Sequence, residues 1–547
     1  MAYNAYLAVT ACIALSLGYF VWKLFPATPL PGYPHNAASR RRLFGDGPEI
    51  KGTGRITREP SAAIFNLNRK LGTALFQLLV TGFGPPRVVL DDPREVEDIL
   101  LRRNKEFDRS VLTTNLFHQV LPHATLSQAT TPALKAQKRL WSDAMSPEFL
   151  RRAVAPNLQV AARELVELWA IKAESAAGAP FDVSRDFQDM ALDAIWAGVL
   201  GSKAGVLRYE IEKLRDGKST LGPEALHTIE VVRFAVTKGT HILDTGLASL
   251  WPGLTFFFMR FTPSYRRFKQ VGRDEVRKLM RRACERFQAL PGSEKMGGAA
   301  GHDDDNAEHD TCAMDLVLRR EIMMARKTGT PVRDPTNDLA MLDELWLMLL
   351  AGHDSTANTL SWFVKYMALH RDTQAQLRRA LTSAFGSRPS QKLPTAAAIL
   401  AADIPFLDAV MEETTRCAAT AALTSRDALV DTEVLGRPVP AGSTVILNLN
   451  INHTPYPIDE SVRSATSRAV QAKRTRGGFD SESGRDLEQF EPRRWLAKDA
   501  DGREVFDAYS LPSLTFGGGF RGCFGASLCG LLFCCLAGRI LTGMNGK

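Results

Sequence analysis

The chain has 547 residues, of which 45% are hydrophobic and 23% charged, with a net charge of +8 and a pI near 9.0. That balance excludes a disordered or fibrous protein and leaves ample length for a large core. A mild positive excess spread over this length does not argue for nucleic acid, and eight irregularly spaced cysteines do not form a disulfide framework, so a reducing compartment is expected.

The N-terminal run Ala5 to Trp22 holds 18 residues without a charge. It is long enough to span a bilayer, and Trp22 and Lys23 close it as interfacial residues. No basic residue precedes it, and Arg40, Arg41 and Arg42 follow, which orients the N-terminus to the lumen and the rest of the chain to the cytosol. A cleaved signal peptide is the alternative, but its positive leading region is missing. The expectation is a single transmembrane helix over 1–24, a Pro-rich hinge over 25–36 and one large domain over 37–547.

After the hinge, "ALFQLLVTGFGPPRVVLDDPREVEDILLRR" reads as strand, Gly-Pro turn, strand and a helix opened by "DDP". From about Ser146 to Cys284 helical periodicity dominates, with turns at Pro180, Gly201, Pro223 and Pro252. Pro291 to Thr311 is polar and Gly/Asp-rich. Its His302, Asp303, Asp304, Asp305, Glu308, His309 and Asp310 are metal-ligating types, but without an apolar flank a solvated loop is the simpler reading. Asn337 to His370 is proline-free and apolar on nearly every side, which predicts a buried helix ~50 Å long. Gly352, His353, Asp354, Ser355 and Thr356 interrupt its centre, where polar groups are costly unless they act. A helix near Ile404 to Ala422 and short strands follow. A basic polar insertion, about Ser461 to Asp486, precedes "FEPRRW". The fold class is mainly α, of α+β type: a helical bulk with small β-sheets.

The segment "FGGGFRGCFG", Phe516 to Gly525, sets one thiol among five glycines. Glycines allow backbone N–H groups to approach a sulfur closely and to adopt positive φ. Phe516 and Phe524 are placed to shield the sulfur, and Arg521 to pair with an anionic group of a cofactor. A phosphate-binding loop would need a Lys-Ser/Thr that is absent. Zinc held by Cys523, Cys529, Cys534 and Cys535 would need tighter spacing. The last three fit the core of an apolar helix.

Phe516, Gly519, Arg521, Cys523 and Gly525 together resemble the haem-binding signature of the cytochrome P-450 family, Phe-x-x-Gly-x-Arg-x-Cys-x-Gly. Other segments carry the same resemblance in the family's order. "AGHDST" is similar to the motif of its long central helix, which implies that Asp354 with Ser355 or Thr356 supplies protons for dioxygen cleavage. Serine stands where the family usually has threonine. A helix kink with back-bonded hydroxyls is the structural alternative. "EETTR" resembles the family's Glu-x-x-Arg, and "FEPRRW" its Pro-Glu-Arg-Phe region, implying a structural triad of Glu413, Arg416 and Arg494. By position Lys138 and Arg426 match residues that reach haem propionates, although Leu134 stands where the family often has a tryptophan. A solvated surface charge is the alternative for both.

The resemblance implies a membrane-anchored haem-thiolate monooxygenase of the type found in filamentous fungi. Its cofactor would be haem b with iron on Cys523. Electrons would come from NADPH through a cytochrome P-450 reductase, docked on the basic surface around Lys135, Lys138 and Arg139. The substrate would be an apolar small molecule touching Val111 to Leu121, the helix near Leu350, and Ala418 to Leu423. The implied location is the endoplasmic reticulum membrane, with the catalytic domain in the cytosol. Two rivals stand: a haem-thiolate isomerase or dehydratase that needs no reductase, and a non-catalytic membrane haem protein. The second draws on the C-terminal end, where 24 residues follow Cys523 and the family's closing β-hairpin is not evident. A short variant and a chain read past a splice boundary both explain that end.

Overall fold

The structure is a computed structural model that describes residues 2–57, 59–247, 249, 251–289, 310–331, 334–386, 395–474 and 486–543. The Asp/His-rich loop expected over Pro291 to Thr311 lies almost wholly outside these residues, as does 475–485 of the polar insertion. The described residues divide into two compact units, one of 1–112, 421–497 and 507–522, the other of 113–420, 498–506 and 523–547.

The first unit begins with α1 (Ala2–Leu24). Among the described residues no helix is long and apolar enough to cross a membrane, so the expected transmembrane span is not supported. Protein contacts occupy the end of the apolar run. Lys23 Nζ donates to the Gly82 carbonyl at 3.0 Å, and the Phe20 ring lies 5.4 Å from that of Phe83.

The strand–turn–strand–helix reading holds. β1 (Leu75–Leu78) and β2 (Arg87–Leu90) pair antiparallel, and α2 (Pro93–Leu101) follows, its Asp92 cap accepting the Glu95 N–H at 2.9 Å. β3 (Phe107–Arg109), β4 (Leu423–Ala428), β5 (Thr432–Val434), β6 (Arg437–Val439) and β7 (Thr444–Asn448) complete the unit's main strands. The sheet order is β1-β2-β7-β4-β3, parallel only between β2 and β7, and β5 and β6 form a separate hairpin. β3 and β4 put Arg109 opposite Arg426 and Asp108 opposite Asp427.

The second unit is helical. Its helices include α3 (Val111–Val120, which starts at the unit boundary), α4 (Pro132–Ser142), α5 (Ala155–Ala176), α6 (Ser184–Leu200), α7 (Pro263–Ala289), α8 (Leu339–Leu369), α9 (Pro405–Ala418) and α10 (Ala526–Gly543). The proline-free run reads as α8, capped by Asp338, whose carboxylate accepts from Ala340 and Met341. α8 lies against α6 closely enough that a Cβ at Gly352 would sit 2.8 Å from Ile195 Cδ1. Leu345, Leu349 and Leu360 are essentially inaccessible in that core.

Asp193 on α6 is buried and accepts the Val206 and Leu207 N–H groups at 3.0 and 2.8 Å. Burial, only partly offset by those bonds, pushes its pKa up to about 7. A carboxyl whose folded pKa is raised favours the fold in its protonated form, so its contribution is lost as pH rises from about 4 to about 7. Urea unfolding at pH 4.5 and 7.5 is expected to show this loss, on the order of 4 kcal/mol. Asp193→Asn is expected to flatten the slope; an unchanged slope would place the titration elsewhere.

Candidate functional site

The expected site residues fall into two groups, one in each unit. In the first, Arg426 on β4 is 5% exposed, and its Nη1 donates to Thr424 Oγ1 at 3.1 Å and the Ser425 carbonyl at 3.0 Å. Burial, then the nearby charge of Arg521, lower its pKa to about 10 against the opposing charge of Asp108. Arg521 Nε donates to Asp108 Oδ1 at 3.2 Å. Arg521 is thus bonded to the Asp108 carboxylate, whose charge also reaches the buried Arg426. Asp108 gave no signal in the sequence, because a lone acid on a three-residue strand has no spacing to read.

The glycines before Arg521 serve a close approach. At Gly519, φ is +60° and a Cβ would stand 2.6 Å from the Leu100 carbonyl oxygen on α2. At Gly518 a Cβ would lie 2.5 Å from Leu101 Cδ2. Phe516 is half-buried in the same unit. Arg494 is buried here too, its Nη2 donating to the carbonyls of Asp486 and Gln489 at 3.4 and 3.3 Å.

The second group surrounds Cys523. Solvent reaches this side chain, yet the protein around it raises the thiol pKa by desolvation. The Gly525 and Ala526 N–H groups and the charge of Lys138 act in the opposite direction, favouring the thiolate. A Cβ at Gly525 would lie 3.9 Å from Cys523 Sγ. Lys138 on α4 stands over the Phe524 ring at 4.6 Å, and its charge is also felt by the buried Glu344 carboxylate. Leu134, one turn earlier on α4, is fully buried.

On α8 the polar cluster separates onto two faces. Ala351, Ser355 and Asn358 form an exposed stripe, and Ser355 Oγ donates back to the Ala351 carbonyl at 2.7 Å. Thr356 is buried and bonds the thiol of Cys529 on α10, whose pKa burial raises to about 12. Asp354 is half-buried, and desolvation followed by the charge of Asp244 raises its pKa. His353 is buried with Nδ1 unpartnered, and burial lowers its pKa to about 4. The Thr356–Cys529 and Asp354–Asp244 relations join residues far apart in sequence, so spacing could not show them. Glu413 and Arg416 on α9 form a buried bidentate pair, with both N–O distances 2.8 Å. Leu350 is buried against Gly239 instead of lying on the exposed stripe.

A family model described as Cytochrome P450 matches residues 43–455. The chain is 30% identical to a cytochrome P450 monooxygenase of Pestalotiopsis microspora (GME11363), over 98% of this chain and 93% of that one. It is also 30% identical to a cytochrome P450 monooxygenase of Fusarium sporotrichioides (TRI13), over 95% and 91%. The chain belongs to the cytochrome P450 family. A crystal structure of a cytochrome P450 shares the fold, with a TM-score of 0.61 at 17% identity over 88% of this chain and 87% of that one. The family and its named relatives make this P450 a haem-thiolate monooxygenase.

The residues present fit a haem. In the helical unit a thiol receives two backbone N–H groups and the glycine beside it leaves the sulfur uncrowded; in the first unit, taken by itself, the buried Arg426 and Arg521 suit carboxylate side groups of a cofactor. Gly519→Ala places a methyl against the Leu100 oxygen at a positive φ, which costs about 1–3 kcal/mol. Thermal unfolding should show that loss together with reduced haem content. Arg416→Leu leaves Glu413 charged and buried without its partner, and a loss of about 3–5 kcal/mol is expected in denaturant titration.

Proposed function

We propose that this P450 inserts one oxygen atom of dioxygen into an apolar small molecule, with electrons from NADPH delivered by a cytochrome P450 reductase. The observation that carries this reading is a donor-lined thiol at Cys523 together with a half-buried Asp354 next to the exposed Ser355 hydroxyl on α8. When bound, haem supplies the redox chemistry that activates dioxygen.

Cys523 would hold the haem iron through its thiolate. The Gly525 and Ala526 N–H groups and Lys138 hold its negative charge in a place where burial alone would favour the neutral thiol. Arg521 and Arg426 would hold the haem's carboxylate side groups. Asp354 holds a proton: its raised pKa keeps the acid form available at higher pH than an ordinary aspartate would. Ser355 is the better partner for moving that proton, because it is exposed and gives up only a back-bond to the Ala351 carbonyl, whereas Thr356 is buried and bonded to Cys529. Glu413, Arg416 and Arg494 act in structure and not in proton transfer.

Lys135 and Arg139 are exposed one turn apart on α4 and support docking of an acidic reductase surface. Exposed Ile13, Leu15, Leu17 and Trp22 on α1 support residence at the endoplasmic reticulum membrane surface, with the catalytic domain in the cytosol.

The test is turnover of an apolar substrate panel with NADPH, reductase and isotopically labelled dioxygen. Label is expected in product only when NADPH and reductase are both present. Asp354→Asn is expected to lower coupled turnover on the order of a hundredfold and to remove the fall in rate at high pH. Ser355→Ala should cost more than Thr356→Val. Product formation without reductase, or a larger loss in Thr356→Val, would contradict these roles.

A further inference from the structure

A groove lies on the helical unit beside the end of α3. It measures about 380 Å³ along α7, lined by Arg260, Tyr265, Arg266, Lys269, Gln270, Arg273, Asp274 and Arg277. Arg266, Lys269, Arg273 and Arg277 follow at spacings of three and four, so they form one stripe of the helix. Like charges at such spacings destabilise a helix unless something neutralises them.

Little in the protein does. Arg273 pairs with Asp343 at 3.1 Å, and Arg277 with Asp274 at 3.3 Å. Arg260, Arg266 and Lys269 find neutral acceptors. Arg260 Nη2 donates to Gln119 Oε1 at 2.6 Å, Arg266 Nε to the Arg260 carbonyl at 3.3 Å, and Lys269 Nζ to the Val120 carbonyl at 2.6 Å. These bonds satisfy donors but leave the charge. Lys269 registers the excess: burial, then the charges of Arg273 and Arg260, lower its pKa to about 8, with Asp343 the opposing charge.

We propose that this groove is a binding site for a phosphate-class anion, held by Arg260, Arg266, Lys269, Arg273 and Arg277. Guanidinium forks match the oxygens of phosphate in pairs, and the groove is large enough for a phosphate monoester. The same cations hold the end of α3. Arg260 binds the Gln119 side chain, Tyr265 Oη donates to the Gln119 carbonyl at 2.5 Å, and Lys269 holds Val120. Arg273 reaches Asp343, which accepts the His123 N–H at 3.0 Å. An anion that relieves the repulsion along α7 therefore steadies residues 113–123. The anion site stands independently of the proposed reaction; its bearing on substrate entry rests on reading Val111 to Leu121 as a substrate-contacting segment.

The full-length haem-loaded protein should be titrated calorimetrically with inorganic phosphate against chloride at matched ionic strength. In parallel, its binding to phosphatidylcholine vesicles with and without phosphatidic acid should be measured. Each experiment should be repeated with Arg266→Glu, an exposed position outside the catalytic residues, after checking that its haem spectrum and circular dichroism match the parent. Saturable phosphate binding at one anion per chain, weakened at least tenfold in Arg266→Glu, supports a site for soluble phosphate compounds. Phosphatidic-acid-dependent binding lost in Arg266→Glu and displaced by phosphate supports a lipid headgroup. Absence of both overturns the site. Hydrogen exchange over 113–123 is expected to slow several-fold at saturation. Unchanged exchange, with binding intact, overturns the coupling to α3 while leaving the site and the proposed reaction standing.

Discussion

The proposed reaction depends on keeping the Cys523 sulfur negatively charged where burial favours the neutral thiol. Desolvation raises the Cys523 pKa, and only local donors resist it. The N–H groups of Gly525 and Ala526 are available because the chain turns into α10 there, at a helix start whose first donors have no partner within the helix. Lys138 adds a full charge from α4. The same constraint explains the glycines: a chain that must pass Leu100 and Leu101 this closely has no room for side chains at Gly518 and Gly519.

Charge placement elsewhere follows the same logic of desolvated groups and their partners. Arg426 and Arg521 lie close enough to repel, and the Asp108 carboxylate bonds one and eases the burial of the other, an arrangement that suits the proposed contact with a cofactor's carboxylates. Glu413 and Arg416 neutralise each other within one helical turn and leave no charge to act in chemistry. Asp354 has no cation among the causes of its shift and is pushed toward its acid form, the state a proton donor needs. These three environments differ in which charge state they favour, although the groups look alike in composition.

Much of this was legible before any coordinates. The cysteine segment, Asp354 and the Glu413–Arg416 spacing are local patterns, and the "DDP" helix start and the 31-residue central helix follow from capping and periodicity. What was not legible depends on pairs distant in sequence. The Thr356 hydroxyl is turned to Cys529 by packing between α8 and α10, so the two adjacent hydroxyls, equal in sequence, differ in surroundings. Asp108 and Asp244 matter through neighbours that strand register and helix packing bring to them. At the N-terminus the uncharged run Ala5 to Trp22 suggests a membrane span, but among the described residues no helix is long and apolar enough to cross a membrane, and the end of the run meets Phe83 and Gly82 through Phe20 and the flanking Lys23.

The most direct test of the central claim is the absorption spectrum of the reduced, carbon-monoxide-bound protein, compared with that of Cys523→Ala. The parent should show the strongly red-shifted Soret band of thiolate ligation, and Cys523→Ala should lose it while any haem it retains absorbs like a nitrogen- or water-ligated form. A parent without that band, or a variant that keeps it, would contradict the account.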